Sequence, residues 1–263
     1  LVVGAGNRAR KSLAPYALDH PDELQIVAVA EPDELRRKSF AETYRIDDHY
    51  SFQDWQELVG KPRLADAAII CTQDSMHFGP AMKLLEKGYH LLLEKPMSNK
   101  RDECVLLAEA SKRSDRIFTI CHVLRYTPFF RTIKSIIEEG GIGELVTIQL
   151  TEAIGYWHFA HAYVRGNWNN LESSSPIILA KCSHDLDILL WLAGADCKSL
   201  ASFGSLFYFS SRNAPSGAPE YCLEGCPVQD SCPFYAPSIY LDDQHEGREL
   251  SVSTRDDIES RRK

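Results

Sequence analysis

The amino-acid sequence predicts an α/β fold with a doubly wound parallel sheet. Two observations carry this prediction: short apolar runs alternate with amphipathic segments over the first 124 residues, and a glycine-rich turn, Gly4 to Ala9, follows the first of these runs. Parallel strands need crossover helices between them, so β-α-β alternation is typical of a parallel sheet. The pattern changes near residue 125, which predicts a second domain over 125–263.

The individual elements follow from hydrophobic spacing. Alternating or continuous apolar runs predict strands over 1–3, 24–31, 67–72, 90–95 and 117–123. Helical spacing predicts helices over 8–19, 34–44, 77–87 and 102–112. The second domain is predicted to contain helices over 128–139 and 176–192 and strands over 144–153 and 199–210.

The composition of the chain limits the kinds of molecule that it is expected to bind. The chain has 263 residues, 44% hydrophobic and 25% charged, with a formal net charge of -8. This acidic balance disfavours binding to nucleic acid or to an anionic membrane surface, and no apolar stretch is long enough to span a bilayer. We therefore expect a cytoplasmic protein with a small-molecule partner. Leu1 lies inside the first strand and the charged end of the chain has no closing element, so we expect residues beyond both ends, an export signal included.

The turn after the first strand has the spacing of a dinucleotide-binding loop. Glycines there allow a tight turn and close approach of a pyrophosphate to the following helix, although a purely structural turn would use the same residues. The candidate cofactor-binding residues of this loop are Gly4, Gly6, Asn7, Arg8 and Ala9.

Glu31 ends the second predicted strand, where an acidic side chain can accept hydrogen bonds from ribose hydroxyls. This position favours NAD over NADP. Arg8, Arg36 and Arg37 lie near the same corner and could pair with a 2′-phosphate, so NADP stays open.

Further candidates follow the later strands. Thr72 and His77 lie in the loop after the third predicted strand, and we expect them to contact the nicotinamide half of the cofactor. Glu94, Lys95 and Pro96 end the next strand, and Glu94 and Lys95 are also cofactor-binding candidates. A lysine held there can polarise an alcohol oxygen, and burial beside a cationic ring would lower its pKa.

The chain resembles the Gfo/Idh/MocA family of oxidoreductases over nearly its whole length. The resemblance depends on motifs in a fixed order: Gly4-Ala5-Gly6-Asn7-Arg8-Ala9, Glu31, Glu94-Lys95-Pro96, His122 with Arg125-Tyr126 and Pro128, and Ser183-His184-Asp185-Leu186-Asp187. It implies an NAD(P)-binding Rossmann domain over 1–124 and a C-terminal α/β domain with an open, mostly antiparallel sheet, incomplete here, through which a homo-oligomer forms. It also implies oxidation or reduction of a carbohydrate-like substrate.

By this resemblance Lys95 is the catalytic lysine and His184 accepts the proton of the substrate hydroxyl. Many members have an aspartate four residues before the histidine, whereas this chain has Ala180 followed by Lys181. We count Lys181 as a third catalytic candidate, because it could lower the histidine pKa or bind an acidic substrate. The candidate substrate-binding residues from the matching motif are His122, Arg125 and Tyr126.

The segment 156–168 concentrates aromatic rings, histidines and an arginine. Such side chains suit a sugar ring, so His161, Tyr163 and Arg165 are further substrate-binding candidates, with simple packing as the alternative.

Three of the eight cysteines, Cys222, Cys226 and Cys232, cluster within eleven residues. Their spacing fits no standard metal motif, and His245 is the nearest candidate fourth ligand. We predict no metal site for the chain as a whole. For this cluster, a bound metal, a disulfide and free thiols remain as alternatives. The other five cysteines are scattered in apolar segments.

The sequence thus predicts hydride transfer between NAD(P) and a secondary alcohol or ketone of a sugar, cyclitol or polyol. Two alternatives stay open: a glycosidase that retains NAD and oxidises its substrate transiently, and a non-catalytic protein that senses NAD or a sugar.

Overall fold

Six parallel strands form a single sheet in the order β3-β2-β1-β4-β5-β6. The computed structural model describes residues 1–241. Its strands are β1 Val2–Val3, β2 Val29–Ala30, β3 Ser51–Phe52, β4 Ala67–Ile70, β5 His90–Leu93 and β6 Phe118–Ile120. This order is that of a doubly wound Rossmann sheet, and the predicted α/β fold class is confirmed.

Helices connect these strands and continue beyond them. The α-helices are α1 Tyr16–Asp19, α2 Glu34–Tyr44, α3 Trp55–Gly60, α4 Phe78–Glu86, α5 Arg101–Arg113, α6 Pro128–Glu138, α7 Tyr156–Phe159, α8 Ile177–Ala180, α9 Cys182–Ala193 and α10 Ala236–Tyr240. Two π-helical turns, Ala9–Leu13 and Ala160–Arg165, stand before α1 and after α7.

The chain divides into two compact units. Unit 1 comprises Leu1–Leu150 and Asn170–Gly194, and it contains the whole sheet together with α8 and α9. Unit 2 comprises Thr151–Asn169 and the chain from Ala195 onward. The candidate residues Lys95, His122 and His184 therefore all lie in unit 1.

Both faces of the sheet are covered by apolar side chains. Val2 belongs to one buried cluster and its neighbour Val3 to the other, as the two-residue period of a strand requires. The larger cluster includes Leu58, Leu84 and Leu107 from helices α3, α4 and α5, all 1% exposed or less. Burying each such leucine contributes about 1.5–3 kcal/mol, which holds the carboxyl ends of the strands in place.

The carboxyl ends of four strands lie level with one another. The amide of Cys71 donates to Val3 at 2.8 Å, that of Glu94 to Ile70 at 2.9 Å, and that of Cys121 to Leu93 at 2.8 Å. The residues that follow β1, β4, β5 and β6 are thereby brought to one edge of the sheet.

Several elements differ from the prediction. The helix expected over 8–19 is divided into a π-turn and α1, because Pro15 lacks the N–H that a continuous helix needs. The helix expected over 176–192 is interrupted at Lys181. Strand β3 and helix α3 were not predicted, since a two-residue strand gives no alternation to detect.

The strands expected over 144–153 and 199–210 are not formed. Both segments are irregular, and Val146 and Phe203 are 88% and 96% exposed. A strand needs a neighbour to satisfy its backbone groups, and within residues 1–241 neither segment has one. In the same range, no helix combines the length and apolar character that crossing a bilayer requires.

Glu31 fastens the glycine loop to the end of β2. Its Oε2 accepts from the Ala5 amide at 2.8 Å, while Oε1 accepts from the Asp33 amide at 3.1 Å and from Arg36 Nη2 at 2.9 Å. The residue is 3% exposed. A carboxylate accepts about four hydrogen bonds, so the protein itself uses most of this capacity, and the ribose contact expected of Glu31 stays a prediction.

We expect Glu31→Ala to lower the free energy of unfolding by about 1–3 kcal/mol, because it leaves the buried Ala5 amide without an acceptor. Urea denaturation measures this loss. The matched control is Glu34→Ala, since Glu34 pairs with Lys38 on the exposed face of α2 and its loss should change stability very little. Equal stability of the two variants would contradict the role of Glu31.

Candidate functional site

The glycine loop lies against β4 at the point where the strand order reverses. Gly4 has φ +86°, and a Cβ there would stand 2.8 Å from the Cys71 carbonyl oxygen. A Cβ on Gly6, by contrast, would meet no atom within 4 Å. Gly4 therefore allows close packing between β1 and β4, and Gly6 leaves space for a ligand, as expected at the switch point of a doubly wound sheet.

Arg8 extends from this loop toward the end of β5. Its Nε donates to Glu94 Oε1 at 2.5 Å, and Glu94 is 6% exposed. Asn7 is half-buried beside it, whereas Ala9 is 1% exposed and packs in the apolar core. The ion pair between Arg8 and Glu94 therefore keeps the Arg8 guanidinium beside the glycine loop.

The residues present fit a dinucleotide. Thr72 Oγ1, at the end of β4, is buried and has no hydrogen-bond partner among the described residues. Such an orphaned hydroxyl carries a desolvation cost that a bound polar ligand would remove. Together with the space at Gly6, it supports the predicted roles of Gly4, Gly6, Asn7 and Thr72, which stay predictions.

His77 is a buried link between two loops of the site. Its Nδ1 lies 2.7 Å from the Pro96 carbonyl oxygen and its Nε2 lies 3.1 Å from the Thr72 carbonyl oxygen. The residue is 1% exposed. With both ring nitrogens facing protein carbonyls, His77 holds the loop after β4 against the loop after β5, and its predicted cofactor contact stays a prediction.

Lys95 follows β5, and its ammonium group reaches the turn before α9. Nζ donates to the Ala180 carbonyl at 2.6 Å. Burial lowers the pKa of Lys95 below its ordinary value of 10.5, and the nearby charge of Lys181 lowers it further. Lys181, the residue before α9, is therefore close to Lys95, and its predicted catalytic role stays a prediction.

His184 lies in the first turn of α9, where its amide donates to the Lys181 carbonyl at 3.0 Å. Its Nδ1 is buried without a hydrogen-bond partner in the described part of the chain. Burial, with the charge of Lys95 next in size, lowers the pKa of His184 to about 4. The imidazole is therefore neutral at pH 7 and can accept a proton.

Of three further candidates from the sequence, two contact other residues of the site and one is exposed to solvent. His122 stands next to His184, with ring centroids 5.9 Å apart. Arg125 is held by Asp187 through two contacts, of 2.7 Å and 2.6 Å. Tyr126 is 73% exposed.

The candidates of segment 156–168 contact other residues of unit 2. His161 Nδ1 lies 2.9 Å from the Tyr240 hydroxyl, and Arg165 donates to the Phe234 carbonyl. The Phe159 ring stacks on Phe209 and lies 5.7 Å from the Tyr163 ring. These contacts favour packing for this segment, and the predicted substrate contacts of His161, Tyr163 and Arg165 stay predictions.

The cysteine cluster contains free thiols. Cys222, Cys226 and Cys232 are half-buried and form no disulfide. Within residues 1–241, no group of three or more histidine, cysteine, aspartate or glutamate side chains is arranged to hold a metal ion. His245, the candidate fourth ligand, lies outside the described residues.

Sequence reasoning missed the role of Asp187. The motif Ser183 to Asp187 was recognised, but nothing in it identifies Arg125, 62 residues earlier, as the partner of this carboxylate. The spacing within the motif does offer one indication that Asp187 belongs to the site. Asp187 follows His184 by three residues in a helix, which places both side chains on the same face.

We expect His77→Ala to lower the free energy of unfolding by about 1–3 kcal/mol, because the substitution removes the buried imidazole that lies between the carbonyls of Thr72 and Pro96 and donates a hydrogen bond to at least one of them. Urea denaturation again provides the measurement. His49→Ala is the control, since the His49 side chain is 91% exposed. If both variants unfold at the same urea concentration, the link through His77 does not contribute to stability.

Comparisons with known proteins agree with this geometry. A model of an oxidoreductase family with an NAD-binding Rossmann fold, Gfo/Idh/MocA, matches residues 1–122, and the model of that family's C-terminal alpha/beta domain matches residues 134–225. The protein YteT of Bacillus subtilis, named as an oxidoreductase, is 27% identical over 207 residues, which cover 76% of this chain and 47% of YteT.

A second relative from Bacillus subtilis is the scyllo-inositol 2-dehydrogenase (NADP(+)) IolW, 25% identical over 67% of this chain and 47% of IolW. The chain thus spans about half the length of these curated relatives. Among solved structures, the WlbA dehydrogenase from Bordetella pertussis, in complex with NADH and UDP-GlcNAcA, has a TM-score of 0.61 at 21% identity over 73% of this chain and 54% of WlbA.

An oxidoreductase from Thermotoga maritima has a TM-score of 0.60 at 24% identity, covering 73% of this chain and 59% of that protein. Both structural likenesses concern the fold. The two family models together establish that this chain belongs to the Gfo/Idh/MocA family of oxidoreductases, with an NAD-binding Rossmann domain over residues 1–122.

Proposed function

We propose that this chain is part of an NAD(P)-dependent oxidoreductase that acts on a secondary alcohol or ketone of a sugar, cyclitol or related polyol. One observation carries the proposal: the ammonium of Lys95 and the imidazole of His184 are brought to the same turn of unit 1, through the contact of Lys95 with the Ala180 carbonyl. A bound nicotinamide dinucleotide supplies the hydride acceptor or donor.

In this proposal the two side chains have separate tasks. Lys95 donates a hydrogen bond to the reacting oxygen, and its lowered pKa reflects the dry surroundings in which such a bond is strong. His184 is neutral at pH 7, so it can take the proton of a substrate hydroxyl. Lys181 keeps a second positive charge close to Lys95.

The substrate class is supported by relatives and by the donor set. IolW is named as a dehydrogenase of an inositol, a cyclitol with secondary hydroxyls. The names of YteT and IolW favour hydride transfer over the glycosidase and sensor alternatives. NAD is the dinucleotide of the matching domain model, and the name of IolW keeps NADP as a candidate.

The proposal also assigns a separate function to each of the two parts of the chain. Residues 1–124 bind the dinucleotide, and residues 125–263 contribute to the substrate side and to contacts between subunits. The match of residues 134–225 to the family's C-terminal domain supports this assignment.

We expect Lys95→Ala and His184→Ala to reduce kcat by at least about 10²-fold while NAD affinity is retained, because each removes a group that acts on the reacting oxygen. A panel of polyols and sugars, followed by NADH absorbance with the complete protein, provides the measurement, and titration with NAD gives the affinity.

The matched controls are Lys38→Ala and His49→Ala, whose side chains are 66% and 91% exposed and lie away from the site. Both should retain the activity of the unaltered protein. Full turnover by either Lys95→Ala or His184→Ala would disprove the assigned roles.

A further inference from the structure

We propose that His122 is a second proton carrier, which receives from His184 the proton taken from the substrate hydroxyl, beside a carboxylate of Asp187 held in place by Arg125. This inference rests on the proposed function and adds a step to it. The sequence identified His122 only as a substrate-binding candidate.

The fold places His122 next to Lys95. Strands β5 and β6 are neighbours, with Leu93 opposite Ile120, so Lys95 and His122 each follow this pair by two residues. The Cys121 amide extends the pairing by donating to the Leu93 carbonyl at 2.8 Å. The lysine and the histidine thus leave the same edge of the sheet from adjacent strands.

His122 and His184 form an edge-to-face pair. Their ring centroids are 5.9 Å apart, and the ring planes are inclined at 80°. Each ring has a buried Nδ1 without a hydrogen-bond partner in the described residues. A neutral imidazole accepts a proton at one nitrogen and donates from the other, and in neither ring is Nδ1 committed to a protein hydrogen bond within residues 1–241.

A fixed negative charge lies beside His122. His122 Nδ1 is 3.8 Å from Asp187 Oδ2, which is too long for a hydrogen bond but close enough for attraction once the ring is protonated. Arg125 binds both oxygens of Asp187, at 2.7 Å and 2.6 Å, and the Asp187 side chain is 11% exposed. The paired carboxylate therefore keeps its position when a proton arrives beside it.

The charges around the two rings favour transfer in this direction. The pKa of His184 is lowered to about 4 by burial and then by Lys95, His122 and Arg8, with Asp187 opposing. Burial also lowers the pKa of His122, but there Asp187 is the next largest influence and raises it, with Arg125 and Lys95 lowering it and Glu94 raising it. Asp187 thus raises the pKa of both rings, and it lies within 3.8 Å of His122 Nδ1.

The step balances as follows. The O–H bond of the substrate alcohol breaks and a bond forms between that hydrogen and an imidazole nitrogen of His184, while a bound oxidised nicotinamide would take the hydride from carbon. The N–H bond of His184 then breaks and one forms on His122 through a bridging water, which accepts one proton and gives up another, because the Nδ1 atoms of the two rings form no hydrogen bond with each other. His122 releases the proton to solvent, which its side chain reaches at 28% exposure, and Asp187 remains ionised throughout.

The test combines kinetics with histidine titration by NMR on the complete protein. In His122→Ala, we expect kcat to fall at least about 10²-fold with KM unchanged, and added imidazole to restore part of the lost kcat. His122→Asn should fall similarly, because it keeps a polar side chain of similar size without a titrating ring. His49→Ala, exposed and distant, should match the unaltered protein.

The titration needs no substrate. Removal of His122 should raise the pKa of His184 from about 4, since His122 is one of the groups that lower it. Asp187→Asn should lower the pKa of His122, because the Asp187 charge raises it.

Each other outcome overturns the proposal. A higher KM with unchanged kcat would make His122 a substrate-binding residue, and a loss of kcat without rescue by imidazole would make it a structural one. If the unaltered protein oxidises no polyol, the proposed function itself is wrong, and the kinetic part of the test does not apply. The titration then decides separately: an unmoved pKa of His184 in His122→Ala rules out the coupled pair.

Discussion

A hydrogen bond from the Lys95 ammonium to the Ala180 carbonyl joins the edge of the sheet to the turn before α9. The other features of the site depend on this contact, because the sheet fixes one partner and the helix fixes the other. Lys95 is held by the apolar packing that surrounds β5, while Ala180 precedes the helix that carries His184 and Asp187. The contact therefore holds the Lys95 ammonium, which the sheet positions, next to the helix that carries the His184 imidazole.

Polar side chains, rather than apolar packing, shape the loops around this contact. Glu31 holds the glycine loop, His77 connects the loops after β4 and β5, and Asp187 fixes Arg125. Glu31 and His77 are buried and Asp187 is partly buried, and buried polar groups cost free energy unless they are paired. Their pairing explains why the loops keep one geometry at this edge of the sheet, and it leaves Thr72 Oγ1 without a hydrogen-bond partner among the described residues.

The sequence predicted the sheet well because β-α-β alternation is a local pattern, and helix α2 begins and ends at the expected residues. It failed where partners are remote. The segment 144–153 has a strand pattern, but no segment of residues 1–241 pairs with it. Likewise, Glu31 and His77 were recognised as site residues, while their partners, the Ala5 amide and the carbonyls of Thr72 and Pro96, became visible only in three dimensions. Spacing along the chain does not encode such backbone contacts.

The central claim is that Lys95 is a desolvated cation beside a second cation, and the pKa of its ammonium group tests this directly. NMR titration of labelled lysine side chains should give Lys95 a pKa below its ordinary 10.5, and Lys181→Ala should move this pKa upward. Lys38, which pairs with Glu34 on the surface, provides the internal reference, with a pKa raised above 10.5 by that hydrogen bond. A pKa of Lys95 at or above 10.5, unaffected by the loss of Lys181, would contradict the account.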